Sequence, residues 1–216
     1  MRIGILGSGL MGSRLGTIFA RAGHQVAFSY ARSRKKLEQL AREAGGKARP
    51  GTPSEAGRDA EVLLLAVHWN QVEDVLKQAG DLSGKIVLTC SLPMNSDNTA
   101  LVIGHTTSGA EELAKKVPKA RVVSAFGTVP SEVLLGVFES PRRKSRPSLV
   151  YCGDDDEAKE VAAGLIRDAG FDPMDVGALR VARYLEPFAL LVGELAYGGR
   201  EGPALAYRFE RFEERG

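Results

Sequence analysis

Three observations predict the fold class: an apolar run emptying into a glycine-rich turn, a run at 61–67 that is unbroken by any polar residue from Val62 onward, and an alternation of strand-like and helix-like stretches up to residue 89. Together they predict an α/β chain. Its form is a Rossmann-type doubly wound, mostly parallel sheet, completed by a small C-terminal strand and a helical extension. The first observation says most. Ile3-Gly4-Ile5-Leu6 reads as a strand, and Gly7-Ser8-Gly9-Leu10-Met11-Gly12 follows it directly. In such a G-x-G-x-x-G turn the first glycine permits the tight bend and the second lets backbone approach a pyrophosphate. The third lets the following helix pack close against the strand.

The elements follow in order. Met11, Leu15, Ile18, Phe19 and Ala22 recur at helical spacing, and Gly23 stands where a C-terminal cap belongs. Val26-Ala27-Phe28 is a second strand, and a polar helix from about Arg34 to Glu43 ends at Gly45-Gly46. The run Glu61 to Val67 has the continuous apolarity of a parallel strand covered on both faces. A helix around Val72–Gln78 and a strand at Lys85–Thr89 complete the alternation. A turn at Ser91–Asn95 then opens a polar excursion to Ser108, long enough to imply a functional or mobile loop. A helix from about Ala110 to Lys116 leads to strands at Arg121–Ala125 and Ser148–Cys152. Asp154–Glu157 places carboxylates at the positive end of a helix running to Ala169. A short strand near Pro173–Val176 precedes an apolar helix, Leu179 to Tyr197, suited to a core or a dimer seam.

With 216 residues and 44% hydrophobic content, the chain is expected to form a single unit over 1–216. Its dinucleotide-binding core spans 1–147, and its extension, 148–216, completes an acceptor site or a dimer seam. Balanced charge, 29 basic against 27 acidic residues, argues against a nucleic-acid or polyanion carrier. Cys90 and Cys152 have no metal spacing and suggest no bridge, so both are expected to be small buried hydrophobes at strand ends. The first apolar run is too short for a leader, and no run reaches the ~18 residues of a membrane span. The expected location is a reduced cytoplasm. His24, at the entry to the second strand, reads as structural, and Arg142–Arg146 as an exposed basic loop.

In folds of this class that prefer NAD, a carboxylate ends the second strand and holds the ribose hydroxyls. Here no carboxylate occurs between Gly7 and Glu38. The position instead reads Ser29-Tyr30-Ala31-Arg32-Ser33-Arg34-Lys35-Lys36. Cations, a serine and helix-start amides form a phosphate site, so the expectation is NADP(H) rather than NAD(H).

Ligands in this fold sit beyond the carboxyl ends of the strands, which places Ala66-Val67-His68-Trp69, Ser91–Met94 and Phe126–Pro130 at the site. His68 is the candidate catalytic group, and His105 in the excursion could face a substrate. No Tyr-x-x-x-Lys pair, G-x-S-x-G elbow or metal cluster occurs, and no lysine follows Lys159. With no evident acid–base machinery, the pattern suits direct hydride transfer between two positioned ring systems.

At this point the chain resembles the NADP oxidoreductases dependent on coenzyme F420, a deazaflavin, and their bacterial dinucleotide-binding relatives. The residues that carry the resemblance run nearly end to end. They are Met1-Arg2-Ile3 before the turn, Gly23-His24, Val67-His68-Trp69, Val122–Ala125 with Thr128-Val129-Pro130, Cys152–Glu157, Asp175–Leu179 and Arg183–Pro187. The resemblance implies a homodimer. It implies NADP held by Ser8 to Met11, by the segment Tyr30–Lys35 and by backbone near Val67 and Leu92. The deazaflavin would then lie near Pro93, Thr128 and Pro130, and Met94 is a further candidate on the substrate side. Two other readings stay open: an NADPH-dependent reductase of a flavin, ferric chelate or small C=O or C=N compound, and a non-catalytic NADP-binding redox sensor.

Overall fold

The computed structural model describes residues 1–31, 33–141 and 145–212. The strands are β1 (Arg2–Leu6), β2 (Gln25–Ser29), β3 (Arg49–Pro50), β4 (Val62–Leu65), β5 (Ile86–Thr89), β6 (Arg121–Ser124), β7 (Ser148–Gly153) and β8 (Asp172–Asp175). The helices are α1 (Leu10–Arg21), α2 (Arg34–Ala44), α3 (Pro53–Asp59), α4 (Val72–Ala79), α5 (Gly109–Lys116), α6 (Ser131–Phe138), α7 (Asp156–Asp168) and α8 (Ala182–Tyr197). Short 3₁₀ turns at Trp69–Gln71 and Leu179–Val181 precede α4 and α8.

The sheet runs β3-β2-β1-β4-β5-β6-β7-β8. Pairings from β3 to β6 are parallel, β7 runs antiparallel to β6, and β8 is parallel to β7. This is the expected α/β doubly wound, Rossmann-type fold, and the small C-terminal strand and helix lie where the sequence placed them. Chain order reverses between β1 and β4, which is the position of the ligand crevice in open α/β sheets. Register sharpens that crevice. Leu6 pairs with Ser29 and with Leu65, Leu65 with Thr89, and Thr89 with Ser124. The five strands therefore end in one row, and the loops after β1, β2, β4, β5 and β6 start level.

Helices cover both faces. On one face Ile5, Phe28 and Leu64 pack against α1, α2, α6 and α7 through Phe19, Leu37, Leu134 and Ile166. On the other, Leu6, Leu63 and Val87 meet α3, α4, α5 and the start of α8. Each fully buried aliphatic or aromatic side chain contributes about 1.5–3 kcal/mol of transfer free energy.

Three elements were not legible in the sequence. β3 is two residues long and contains Pro50, and α3 (Pro-Ser-Glu-Ala-Gly-Arg-Asp) has no apolar period. Its start was nonetheless written, because Thr52 and Glu55 cap each other's backbone amides. α6, Ser-Glu-Val-Leu-Leu-Gly-Val-Phe, shows little contrast between faces. The run at 61–67 yields a strand of only four residues, because the Val67 amide leaves the ladder and donates to Ser91 Oγ at 3.2 Å.

His24 is structural as expected: its Nε2 lies 2.9 Å from Asp168 Oδ2, and its ring stands edge-on to Phe19. Cys152 is buried within β7 and Cys90 half-buried just past β5, and burial pushes each thiol up to about 12. α8 buries Leu185, Ala189 and Val192, whereas Tyr184, Leu191 and Leu195 remain 66%, 56% and 64% exposed. Among the described residues no helix is long and apolar enough to cross a membrane.

Candidate functional site

The glycine turn is shaped by three different needs. Gly7 has φ +116°, and a Cβ there would drive into the Ala66 carbonyl oxygen. A Cβ on Gly12 would collide with the Gly7 carbonyl, so α1 can approach β1 only because that atom is missing. A Cβ on Gly9 would meet nothing within 4 Å among the described residues. No described residue requires that glycine, and among the described residues the space above it is open. α1 begins there bare, with no side-chain cap on Gly9 and no carboxylate in its first turn. Its positive end therefore faces the crevice uncompensated by any described residue.

Two serines brace this turn. Ser8 Oγ donates to the Ser29 carbonyl at 2.8 Å, and Ser29 Oγ donates to the Ile5 carbonyl at 2.7 Å. Both side chains are buried. This corrects the expectation for Ser29: its hydroxyl is committed to the strand beneath and offers no donor to a ligand. Leu10 projects outward, Met11 packs against the core, and the Ser8 amide donates to the Tyr30 carbonyl.

Past β2, Tyr30 adopts φ +57° and donates its hydroxyl to Asp74 Oδ2 at 2.7 Å. Burial and the Asp74 carboxylate push that phenol up to about 12, so it stays protonated. Ser33 Oγ caps α2 by accepting from the Lys36 amide. No carboxylate lies in the first turn of α2, and Lys35 and Lys36 point into solvent. Arg34 pairs with Glu38 one turn on, at 3.2 Å. Arg32, also expected at this site, lies outside the described residues, as do Arg142, Arg143 and Lys144 of the basic loop.

Ala66 and Val67 are half-buried over the tip of β4. His68 is exposed, and among the described residues its ring has no hydrogen-bond partner. No described residue orients it as a general base. Leu92 and Met94 are half-buried, while Pro93 is buried against Gly109 at the start of α5. The excursion is ordered: Met94 bridges Leu101, and Asn95 Oδ1 accepts from the Thr99 and Ala100 amides. His105 has φ +62° and is exposed, without a side-chain partner among the described residues.

After β6, Phe126 is fully buried at φ +66°, edge-on to Phe19. Non-glycine residues in this conformation store strain that the surroundings must hold. Tyr30, Asn98, His105 and Phe126 are the four described examples, and all lie in loops at the carboxyl edge of the sheet.

The expected acceptor residues beyond Phe126 require a correction. Thr128 is only 4% exposed, Pro130 is buried as the residue before α6, and neither faces an open cleft. The Thr128 hydroxyl is hydrogen-bonded to the Tyr207 hydroxyl at 2.7 Å, which also accepts from the Val150 amide. The chain after α8 folds back over this point as a strap. Its Tyr207 carbonyl accepts from Ser148, the Phe209 amide donates to Ser148 Oγ, and Tyr207 packs edge-on against Phe188 and Phe209. The sequence hides this because Thr128 and Tyr207 are 79 residues apart.

One cluster was missed entirely. Arg14, a turn into α1, donates to Ser131 Oγ at 2.7 Å and lies 3.7 Å from Glu132. Tyr197, at the end of α8, donates to Glu132 Oε2 at 2.9 Å. Only Arg14 had a signal, since it follows Leu10 by four residues on the same helix face. Among the described residues no group of three or more His, Cys, Asp or Glu could hold a metal ion.

The residues around the turn, the end of β2 and the tips of β4 and β5 coincide with a family signature. Residues 2–93 match the family model described as NADP oxidoreductase, coenzyme F420-dependent. The match takes in Gly7–Gly12, Tyr30–Lys35, Ala66–His68 and Ser91–Pro93, and stops short of Thr128 and the strap. A structure from Arthrobacter sp. FB24, provisionally named an F420-dependent NADP reductase, covers 98% of this chain and 100% of its own at TM-score 0.84 and 24% identity. A reductive aminase from Aspergillus terreus in complex with NADPH and ethyl-5-oxohexanoate covers 90% and 61% at TM-score 0.66 and 20% identity. At these identities the chain shares with both a fold. The metalloreductase STEAP3 of Rattus norvegicus is 32% identical over 88% of this chain. The chain spans about a third of that relative's length, 36%.

Proposed function

We propose that the protein is an NADP(H)-dependent oxidoreductase that passes a hydride between NADPH and a deazaflavin of the F420 type or a similar acceptor. The observation that carries the reading is the bare N-terminus of α1 over the open space at Gly9, beside a helix start rich in cations. The donor set fits the nucleotide. Gly7 to Gly12 and the α1 amides suit a diphosphate. Ser33, Arg34 and Lys35, with Arg32, suit a ribose phosphate, and Tyr30 would border the adenosine. Backbone at Ala66, Val67, His68, Leu92 and Pro93 would line the nicotinamide end. Bound there, NADPH supplies the hydride.

This chain's own residues contribute placement and charge. The α1 dipole offsets diphosphate charge, Asp74 fixes the Tyr30 ring, and Gly109 and Pro93 hold the β5 loop. His68 and His105 have no orienting partner among the described residues, so the geometry favours positional catalysis over proton transfer. The extension 148–216 would complete the acceptor side, with Met94 and His105 at its open rim. The exposed Tyr184, Leu191 and Leu195 face of α8 suits the expected homodimer, and the setting would be cytoplasmic.

The test mixes the protein with NADPH and oxidised deazaflavin and follows the deazaflavin's visible absorbance. Rapid bleaching supports the reading. The likeness to a metalloreductase favours a second acceptor class, a ferric chelate or flavin, which would be reduced while the deazaflavin stays coloured. Silence with every acceptor, despite tight NADPH binding, would overturn the enzyme reading in favour of a redox sensor.

A further inference from the structure

A cavity of 490 Å³ opens at the amino ends of β1 and β2, the edge of the sheet opposite the glycine turn. Among the described residues its charged lining is Arg2, Lys47, Arg49 and Arg58 against a single carboxylate, Asp59. Three guanidinium groups are tied to that one residue. Arg49 Nη2 donates to Asp59 Oδ2 at 2.8 Å, Arg58 Nε to Oδ1 at 3.0 Å, and Arg2 Nε to the Asp59 carbonyl at 2.8 Å. The Arg58 hydrogen bond, with Arg49 beside it, lowers the Asp59 carboxyl, so it holds both arginines across the neutral range.

Bracing the end of α3 explains part of this arrangement, because basic side chains satisfy the last carbonyls of a helix. Lys85 does so, donating to the Arg58 and Ala60 carbonyls. The remainder is unexplained by bracing. Each of the three arginines uses one nitrogen on Asp59, and its other guanidinium nitrogens have no hydrogen-bond partner among the described residues. Lys47 forms no ion pair among them. Glu61 lies 4.0 Å from Arg2 and Glu55 feels the charges of Arg49 and Arg58, but neither is among the residues lining the cavity. Surface arginines ordinarily lose rotamer freedom on gripping an anion; here that ordering is already in place. The floor is made by Ile3, Val26, Ala27, Ala56 and Ala60, apolar residues each less than a tenth exposed.

We infer that this cavity is a second ligand site, for a small phosphomonoester whose phosphoryl oxygens meet the guanidinium nitrogens and Lys47 while its organic body lies on the apolar floor. Bidentate guanidinium–phosphate pairing suits the tethered arginines, and the volume falls within the ~300–1,000 Å³ of small-molecule sites. No covalent step is involved.

Calorimetric titration with phenyl phosphate and with inorganic phosphate tests it on the intact protein. Phenyl phosphate is expected to bind more tightly than inorganic phosphate. Lys47→Gln, which breaks no ion pair among the described residues, is expected to weaken it about tenfold, as removal of one charge-assisted contact would. Arg58→Gln should weaken it further, and Gly9→Ala, at the opposite edge, should leave it unchanged. Absence of phenyl phosphate binding overturns the proposal. So does loss in Gly9→Ala with none in Lys47→Gln, or equal affinity for the two probes.

Discussion

Glu186 is a buried carboxylate whose protonation should be visible in the stability of the whole protein. It sits on α8, is 3% exposed, and accepts the Gly109 and Ala110 amides at the start of α5 at 2.9 and 3.0 Å. Burial outweighs those two hydrogen bonds and, with Glu111 nearby, pushes its carboxyl up to about 7 from 4.5. Glu111 is held by Arg183 and Ser108, and Cys152 lies close on the strand side. A carboxyl with a raised folded-state pKa binds more protons folded than unfolded. Its contribution is therefore complete below about pH 4.5 and is lost as pH climbs through 7. At ~1.4 kcal/mol per unit, the loss amounts to about 3 kcal/mol. Glu186→Gln removes the titration. It also sets an amide N–H₂ against one of the two backbone donors, at a pH-independent cost of about 1–3 kcal/mol. Urea denaturation of both proteins at pH 5, 6, 7 and 8 gives the difference. The wild-type advantage over Glu186→Gln should shrink steadily as pH rises. Parallel stability curves, or an advantage that grows with pH, would refute the reasoning.

The glycine turn yields a paired prediction. Gly12→Ala should lower stability by about 1–3 kcal/mol in thermal melts, because its methyl meets the Gly7 carbonyl. Gly9→Ala should melt like the wild type yet bind NADPH at least tenfold more weakly, since its methyl enters only the open crevice. Lys35→Glu should raise the KM for NADPH about tenfold and leave NADH use nearly unchanged, as a charge reversal beside a phosphate requires. Tyr207→Phe strands the buried Thr128 hydroxyl and the Val150 amide, and should cost about 1–3 kcal/mol in urea denaturation. An unchanged midpoint would show that the strap is not fastened there.

What the sequence revealed was what short-range physics writes. The glycine turn, its flanking strand and helix, and the basic start of α2 are local patterns, and each appears in the structure within a residue or two. β3, α3 and α6 carry too little periodicity to stand out. The acceptor side was harder because it is assembled by distant contacts. Thr128 meets Tyr207, Arg14 meets Ser131, and Glu186 caps α5, each across 75 or more residues. A residue type could suggest exposure there but not burial: Thr128 and Ser29 look like ligand donors in sequence, and both hydroxyls are spent inside the protein.

Nucleotide choice is the property on which the proposed site depends. Calorimetric titration of the protein with NADP⁺ and with NAD⁺ under identical salt and pH measures it. A bare α1 start beside Ser33, Arg34 and Lys35, with no carboxylate to hold ribose hydroxyls, predicts NADP⁺ binding tighter by about tenfold or more. Equal affinities, or a preference for NAD⁺, would contradict it.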